Sequence, residues 1–255
     1  MPEALPQTID EVIARMEAII STSLETGSRL GYFAALYHRV TLQIRSNILN
    51  NGFANPELLN ELAVRFAGRY FEALELYENG QQPTAPWKEA FDAAKRRHPI
   101  ILQHLLLGMN AHINLDLAIA SAETSPNLEI LSLKQDFMQV NAILASQIPV
   151  VLKAISACSP FIGLISFFYK STEEKVVHFS LDIARAYSWL LAEDLAVDTP
   201  DAQQARITTT ISQVKALAVK LLKTKGLVKI LIFIVALVES NNVRRNIKIL
   251  TSIAD

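Results

Sequence analysis

Residues 99–123, PIILQHLLLGMNAHINLDLAIASAE, read as one helix that is apolar on almost every side yet carries Asn110, His112, Asn114 and Asp116 in its middle. A helix with no polar face gains nothing by facing water, so this one belongs inside the molecule. Each polar group buried with it must find a partner or cost about 1–3 kcal/mol. The chain therefore has to wrap around this segment. Its polar positions are where catalysis, ligand binding or a structural network is to be sought.

The flanking sequence supplies helices to do the wrapping. Thr8 with Glu11 forms a capping box ahead of Val12, Ile13 and Met16. A second helix is expected from about Arg29 to Asn50, ending at Asn51-Gly52, and a third from Asn55-Pro56 to Asn79-Gly80. A short helix holding Trp87 and Phe91 comes after the loop QQPTAP, and His98-Pro99 opens the central segment. Beyond Ser125-Pro126-Asn127 the pattern predicts a helix over about Leu133–Ala157, bent at Pro149. Ser171 and Glu174 form a second capping box for a helix to about Val197; Thr199-Pro200 starts another that ends by Gly226, and two C-terminal helices close the chain. No hairpin turn with alternating flanks and no 20–50-residue repeat is present. With 51% hydrophobic residues and only 8 glycines, the expectation is an all-α fold of roughly nine helices. A single compact domain over residues 1–255 is expected.

Charge is unevenly spread. Residues 215–255 carry Lys215, Lys220, Lys223, Lys225, Lys229, Arg244, Arg245 and Lys248 against Glu239 and Asp255, a net +6, within a chain whose total is −1. A basic end of this kind suits peripheral contact with an anionic membrane, or simply a solvated surface. Residues 148–169 and 227–238 are strongly apolar, but the first contains Lys153 and Pro160 and the second is short and contains Lys229. Neither reads as a transmembrane span, which needs about 18 apolar residues. The N-terminal residues lack the basic start and apolar run of a signal peptide, so a cytoplasmic location is expected. Cys158 is the single cysteine, which excludes an intrachain disulfide and a cysteine-based zinc site.

On a helical wheel His112 and Asp116 share a face with Gly108, whose missing side chain leaves room for a partner helix, a ligand or an ion. Asn110 and Asn114 pair on nearly the opposite face, and His104 borders the first. His-x-x-x-Asp can supply two ligands to a divalent metal, or an oriented general base, or merely a satisfied buried pair. A second such motif is His178 with Asp182, on a helix whose polar sector continues through Arg185, Trp189 and Glu193. Val176, Phe179, Ile183, Tyr187 and Leu190 form its apolar side, the one expected to face the core. Arg45, Arg69 and Tyr70 are candidates for an anionic or lipid-like ligand, and Asp136 and Asn141 for the polar interior. Serine-hydrolase, phosphate-loop, dinucleotide, zincin and EF-hand signatures are missing, as are nucleic-acid motifs.

The string HLLLGMNAHINLDLAIA (His104–Ala120) resembles the signature of a bacterial family catalogued as domain of unknown function 5995. LYHRVT (Leu36–Thr41), FAGRYFEAL (Phe66–Leu74), Trp87 with Phe91, DFMQVNAIL (Asp136–Leu144) and AR-x-x-x-W (Ala184–Trp189) are similar in the same order, with Glu239–Leu250 a looser match. The resemblance implies one α-helical domain and no established activity. A fainter similarity is to zinc-dependent phospholipase C-type helical enzymes, which also use a His-x-x-x-Asp helix; the rest of that pattern is lacking. Two functions are compatible with these residues. One is a hydrolase for a phosphoester or lipid-like substrate, with a metal on His112 and Asp116, His104 and Arg185 assisting, and Asn110, Asn114, Trp189, Tyr70 and Arg69 lining the pocket. The other is a non-enzymatic helical module that binds an apolar ligand, a membrane surface or a protein partner.

Overall fold

The computed structural model describes residues 4–162 and 174–252, apart from the side chains of 174–180. Among these residues the chain is helical, with helices α1 (Ile9–Thr26), α2 (Leu30–Leu49), α3 (Pro56–Glu78), α4 (Ala85–Ala94) and α5 (Ile101–Ala111). A π-helical turn, His112–Asp116, joins α5 to α6 (Leu117–Thr124), and a short 3₁₀ turn leads to α7 (Ile130–Cys158). Then come α8 (Glu174–Val197), α9 (Pro200–Leu222), α10 (Gly226–Val238) and α11 (Val243–Ser252). The expected caps form where they can be seen. Thr8 Oγ accepts from the Glu11 N–H, Asn55 Oδ1 from Leu58 and Thr199 Oγ from Ala202. The Ser171 box falls outside the described residues.

The central rod, Ile101–Thr124, is the axis of the fold, and 78% of its most apolar window is buried. Three apolar clusters pack around it. Its last third lies among α3, α7, α8 and α9 through Leu115, Ala118, Ile119, Leu133, Phe137, Trp189, Ala192 and Val214. Its first turns meet α2, the end of α7, α10 and α11 through Ile101, Leu105, Tyr32, Ile155, Val235 and Ile247. An aromatic cluster of α1 to α4, with Phe33, Tyr37, Tyr70, Phe71, Trp87 and Phe91, covers the middle.

Polar side chains fix how the outer helices sit on the rod. Gln103 Nε2 donates to the Leu221 carbonyl at 2.7 Å and Asn110 Nδ2 to the Val214 carbonyl at 2.9 Å, so α9 runs antiparallel to α5, clamped at two places. Asn114 Nδ2 donates in turn to Asn110 Oδ1 at 3.0 Å, which accounts for both amides as structural ties. Glu239, just past α10, accepts from the Ile101 N–H at 2.9 Å and from Ser159 Oγ, capping the start of the rod. Asp136 does the same for α3, accepting from the Ala54 and Asn55 N–H groups at 2.7 Å each.

The gap left by Gly108 is filled by α2. A Cβ there would overlap the Phe33 ring, so the absent side chain serves the packing of α2 on the rod. Gly108→Ala should therefore cost about 1–3 kcal/mol through overpacking, read as a lower urea midpoint at unchanged slope.

Candidate functional site

The π turn sets the geometry of the polar centre. Its wider loop, closed by the Leu117 N–H donating to the His112 carbonyl, places the two side chains against each other. His112 Nδ1 lies 3.2 Å from Asp116 Oδ2, and both side chains are almost wholly buried. The same oxygen accepts from Trp87 Nε1 at 2.8 Å, and Arg69 Nε stands 3.4 Å from Oδ1. Arg69 also reaches toward Glu123, at 3.6 Å. One carboxylate thus ties α3, α4 and the rod together.

Since Asp116 can only accept, the His112 proton belongs on Nδ1, leaving the Nε2 lone pair without a partner. The imidazole is boxed by rings. Phe66 lies parallel to it at 3.5 Å and 7°, with Tyr37 edge-on at 4.5 Å, Phe33 and Trp87 at 5.8 Å and Tyr70 at 6.2 Å. Burial pushes the His112 pKa down; the Asp116 carboxylate opposes that shift and Arg69 adds to it. Burial likewise lifts the Tyr37 phenol well above its ordinary value, with Asp116 and Tyr70 adding to the rise.

Asp116 is fully engaged by three donors, and among the described residues no three His, Cys, Asp or Glu side chains come together. An ion at His112 and Asp116 would have to displace Arg69 and Trp87. The pair does not fit the two-ligand metal site expected from its spacing.

His104 stands two turns earlier and faces elsewhere. It borders a crevice of about 20 Å³ shared with Arg29, Phe33, Tyr70, Trp87, Phe91 and Gly108, room for roughly one water. Its Nε2 is also buried without a partner. Burial chiefly, and Arg29 in addition, push its pKa down to about 4 against a hydrogen bond with Pro99.

Of the other candidates, Arg69 joins the centre and Tyr70 forms one wall, but Arg185 and Trp189 do not. Both are buried on the opposite side of the rod, reversing the amphipathic assignment of their helix. Arg185, Ser188, Trp189 and Ala192 face inward, while Ile183, Tyr187 and Leu190 face outward, Leu190 being 62% exposed. The reason is packing. α8 packs closely on α6, where Ala192 and Ala118 share one apolar cluster and Ser188 and Ser121 are both fully buried, and Trp189 lies against Phe137 at 4.8 Å. Arg185 is carried inside with them, where Nη2 donates to the Phe137 carbonyl at 2.7 Å and Nε to Asn141. With that interior position, burial pushes its pKa down to about 9. Arg45 pairs with Asp10 at the surface. Asp182 is exposed, and the His178 side chain lies outside the described residues. The Cys158 thiol is buried and pushed up to about 11, which removes it as a nucleophile. Phe66, Tyr37 and Trp87 form much of the centre, although spacing along the rod does not point to them. For Trp87 a signal existed, because a buried indole N–H needs an acceptor.

A family model described as a family of unknown function (DUF5995) matches residues 9–225. The chain belongs to that family. No curated protein and no solved structure gives a match. The DUF5995 segment takes in α1 to α9 with the whole polar centre, reaches past residue 195, and leaves out α10, α11 and Glu239–Leu250.

Removing the shared acceptor strands three donors in the interior. Asp116→Ala should lose about 3–5 kcal/mol in urea unfolding. His104 gives a pH signature. Its folded pKa lies below the unfolded 6.5, so its contribution is whole above that pH and is lost as the pH falls toward about 4. His104→Gln should flatten the fall in stability across this window by roughly 3 kcal/mol, seen in urea titrations at successive pH values.

Proposed function

We propose that this chain is a helical binding module that docks on anionic membrane surfaces through α10. The carrying observation is the helix itself. Its sequence, GLVKILIFIVALV, is apolar all round apart from Lys229, yet only Leu231 and Val235 are buried. Leu227, Ile230, Phe233, Ile234, Leu237 and Val238 are exposed, Phe233 by 62% and Leu237 by 67%. At 100° per residue these six fill an arc of about 140°. A face that size is far from a scatter of single apolar residues, and faces of this kind mark contact surfaces.

Charge selects the partner. Several cations of the acidic body are paired: Arg45 with Asp10, Arg65 with Glu61, Lys88 with Asp92 and Arg206 with Asp194 and Asp198. Around α10, Lys220, Lys223, Lys225 and Lys229 are free of acidic partners among the described residues, and all four are exposed. An apolar arc bordered by unpaired lysines matches the boundary between acyl chains and anionic headgroups. The outer face of α8 is also apolar, but the exposed Asp182 and Asp194 border it, which disfavours the same partner there.

Length sets the mode. Thirteen residues span about 20 Å, short of the ~30 Å hydrocarbon layer. The next helix turns away by 100° and carries Arg244, Arg245 and Lys248. α10 therefore lies in the plane of the interface. α7 is a separate matter: the continuous helix holds an apolar window of mean hydropathy 1.5, only 11% buried, so by length and composition it is able to cross a membrane. Residues 148–169 alone do not reveal this, because the window lies within a helix that starts much earlier.

Flotation with phosphatidylcholine vesicles, with and without phosphatidylserine, tests the proposal. Binding should require phosphatidylserine, weaken with salt and vanish in Phe233→Ser/Leu237→Ser. Replacing Lys223, Lys225 and Lys229 by Gln should weaken it on the order of 100-fold. Absence of binding at low salt by folded protein, or association resistant to salt and alkaline washing, contradicts it. So does self-association that buries α10.

A further inference from the structure

The loop between α4 and α5 opens with Lys95-Arg96-Arg97-His98, and all four residues are exposed. Lys95 is held over the Tyr77 ring at 4.3 Å. Arg96 and Arg97 have no acidic partner among the described residues. Asp92, the acid nearest to them in sequence, is taken by Lys88 and by the Tyr77 hydroxyl.

The fold carries this loop to the end of the molecule where α10 lies. α9 runs antiparallel to α5, with the Val214 carbonyl on Asn110 and the Leu221 carbonyl on Gln103, so its last turn stands level with the first turn of α5. Leu221 and Leu222 also pack with Ala90 and Ala93, near the end of α4. The start of α10 follows that last turn directly. Its far end comes back to the rod, where Val235 clusters with Ile100 and Ile101 and Glu239 accepts from the Ile101 N–H. At most about 14 Å of chain separates Arg97 from Ile101. Arg96 and Arg97 therefore share one end of the bundle with Lys220, Lys223, Lys225 and the apolar face of α10.

We infer that Arg96 and Arg97, with the lysines at the end of α9, form a headgroup subsite selective for phosphomonoester lipids of the phosphatidic acid class. The inference rests on the docking of α10 and names the headgroup that this docking favours. Two neighbouring guanidinium groups offer planar forks that match phosphate oxygens in pairs, which an ammonium does not. A phosphomonoester carries a charge of about −1.5 to −2 near pH 7 and three terminal acceptor oxygens. Phosphatidylserine presents a phosphodiester, whose bridging oxygens leave fewer charged acceptors, together with an ammonium of its own. Uncompensated cations set close together repel that ammonium and favour the monoester. The adjoining apolar arc points to a lipid as the carrier of the phosphate, since its acyl chains lie where α10 would insert.

Flotation on phosphatidylcholine vesicles containing either phosphatidic acid or phosphatidylserine, matched in surface potential by electrophoretic mobility, tests the subsite. The native chain should bind the phosphatidic acid vesicles about 10-fold more tightly. Arg96→Lys/Arg97→Lys keeps the charge, so it should hold phosphatidylserine binding and lose most of this ratio. Arg96→Gln/Arg97→Gln should weaken both and bring the ratio to about one. All four substitutions fall in an exposed loop, and an unchanged urea midpoint confirms the fold of each variant. A ratio that survives both double variants, as loose packing under a small headgroup would give, overturns the subsite. So does a ratio near one in the native chain that binds phosphatidylserine, an outcome that leaves the docking of α10 intact. No binding to either vesicle overturns both.

Discussion

The carboxylate of Asp116 is the interaction on which the rest of the structure depends. It sits in an interior made almost wholly of aliphatic and aromatic side chains, where an uncompensated charge would be prohibitive. Three donors from three elements compensate it: the indole of α4, the guanidinium of α3 and the imidazole one turn back along the rod. Each donor also arrives with its own ring or aliphatic stem, so satisfying the charge assembles the aromatic cluster around it. The π turn belongs to the same arrangement, because it brings His112 and Asp116 side by side within a continuous helical axis.

From this centre outward the molecule becomes progressively less committed to itself. The rod is clamped to α9 by two side-chain amides and capped by Glu239, and the acidic body neutralises several of its cations. At the C-terminal end that pattern stops. α10 touches the core by two residues and turns its remaining apolar surface and the neighbouring lysines outward. The DUF5995 match ends where this helix begins, so the polar centre belongs to the family segment and the apolar face of α10 lies beyond it.

Much of this was legible in the residues. The burial of the 99–123 helix followed from its having no polar side, the caps at Thr8, Asn55 and Thr199 from local hydrogen-bond chemistry, and the contact of His112 with Asp116 from helical spacing. What failed was the reading of partners across helices. Spacing shows that two side chains share a face, yet says nothing of Trp87 and Arg69 arriving from other elements to use up the carboxylate. Gly108 marked a close approach, and only the packing tells that Phe33 occupies it. On α8 polarity pointed the wrong way, because small residues matched to α6 decided which face went inside. Arg185 was drawn in with them, its guanidinium satisfied by a carbonyl and an amide.

Under the proposed docking, a buried central rod and an exposed α10 face should respond differently to a membrane. Hydrogen exchange measured by mass spectrometry, with and without phosphatidylserine vesicles, addresses both halves at once. Protection should rise over residues 226–238 on adding vesicles and stay unchanged over 101–124. A change confined to the central rod, with none in 226–238, would contradict this division of labour.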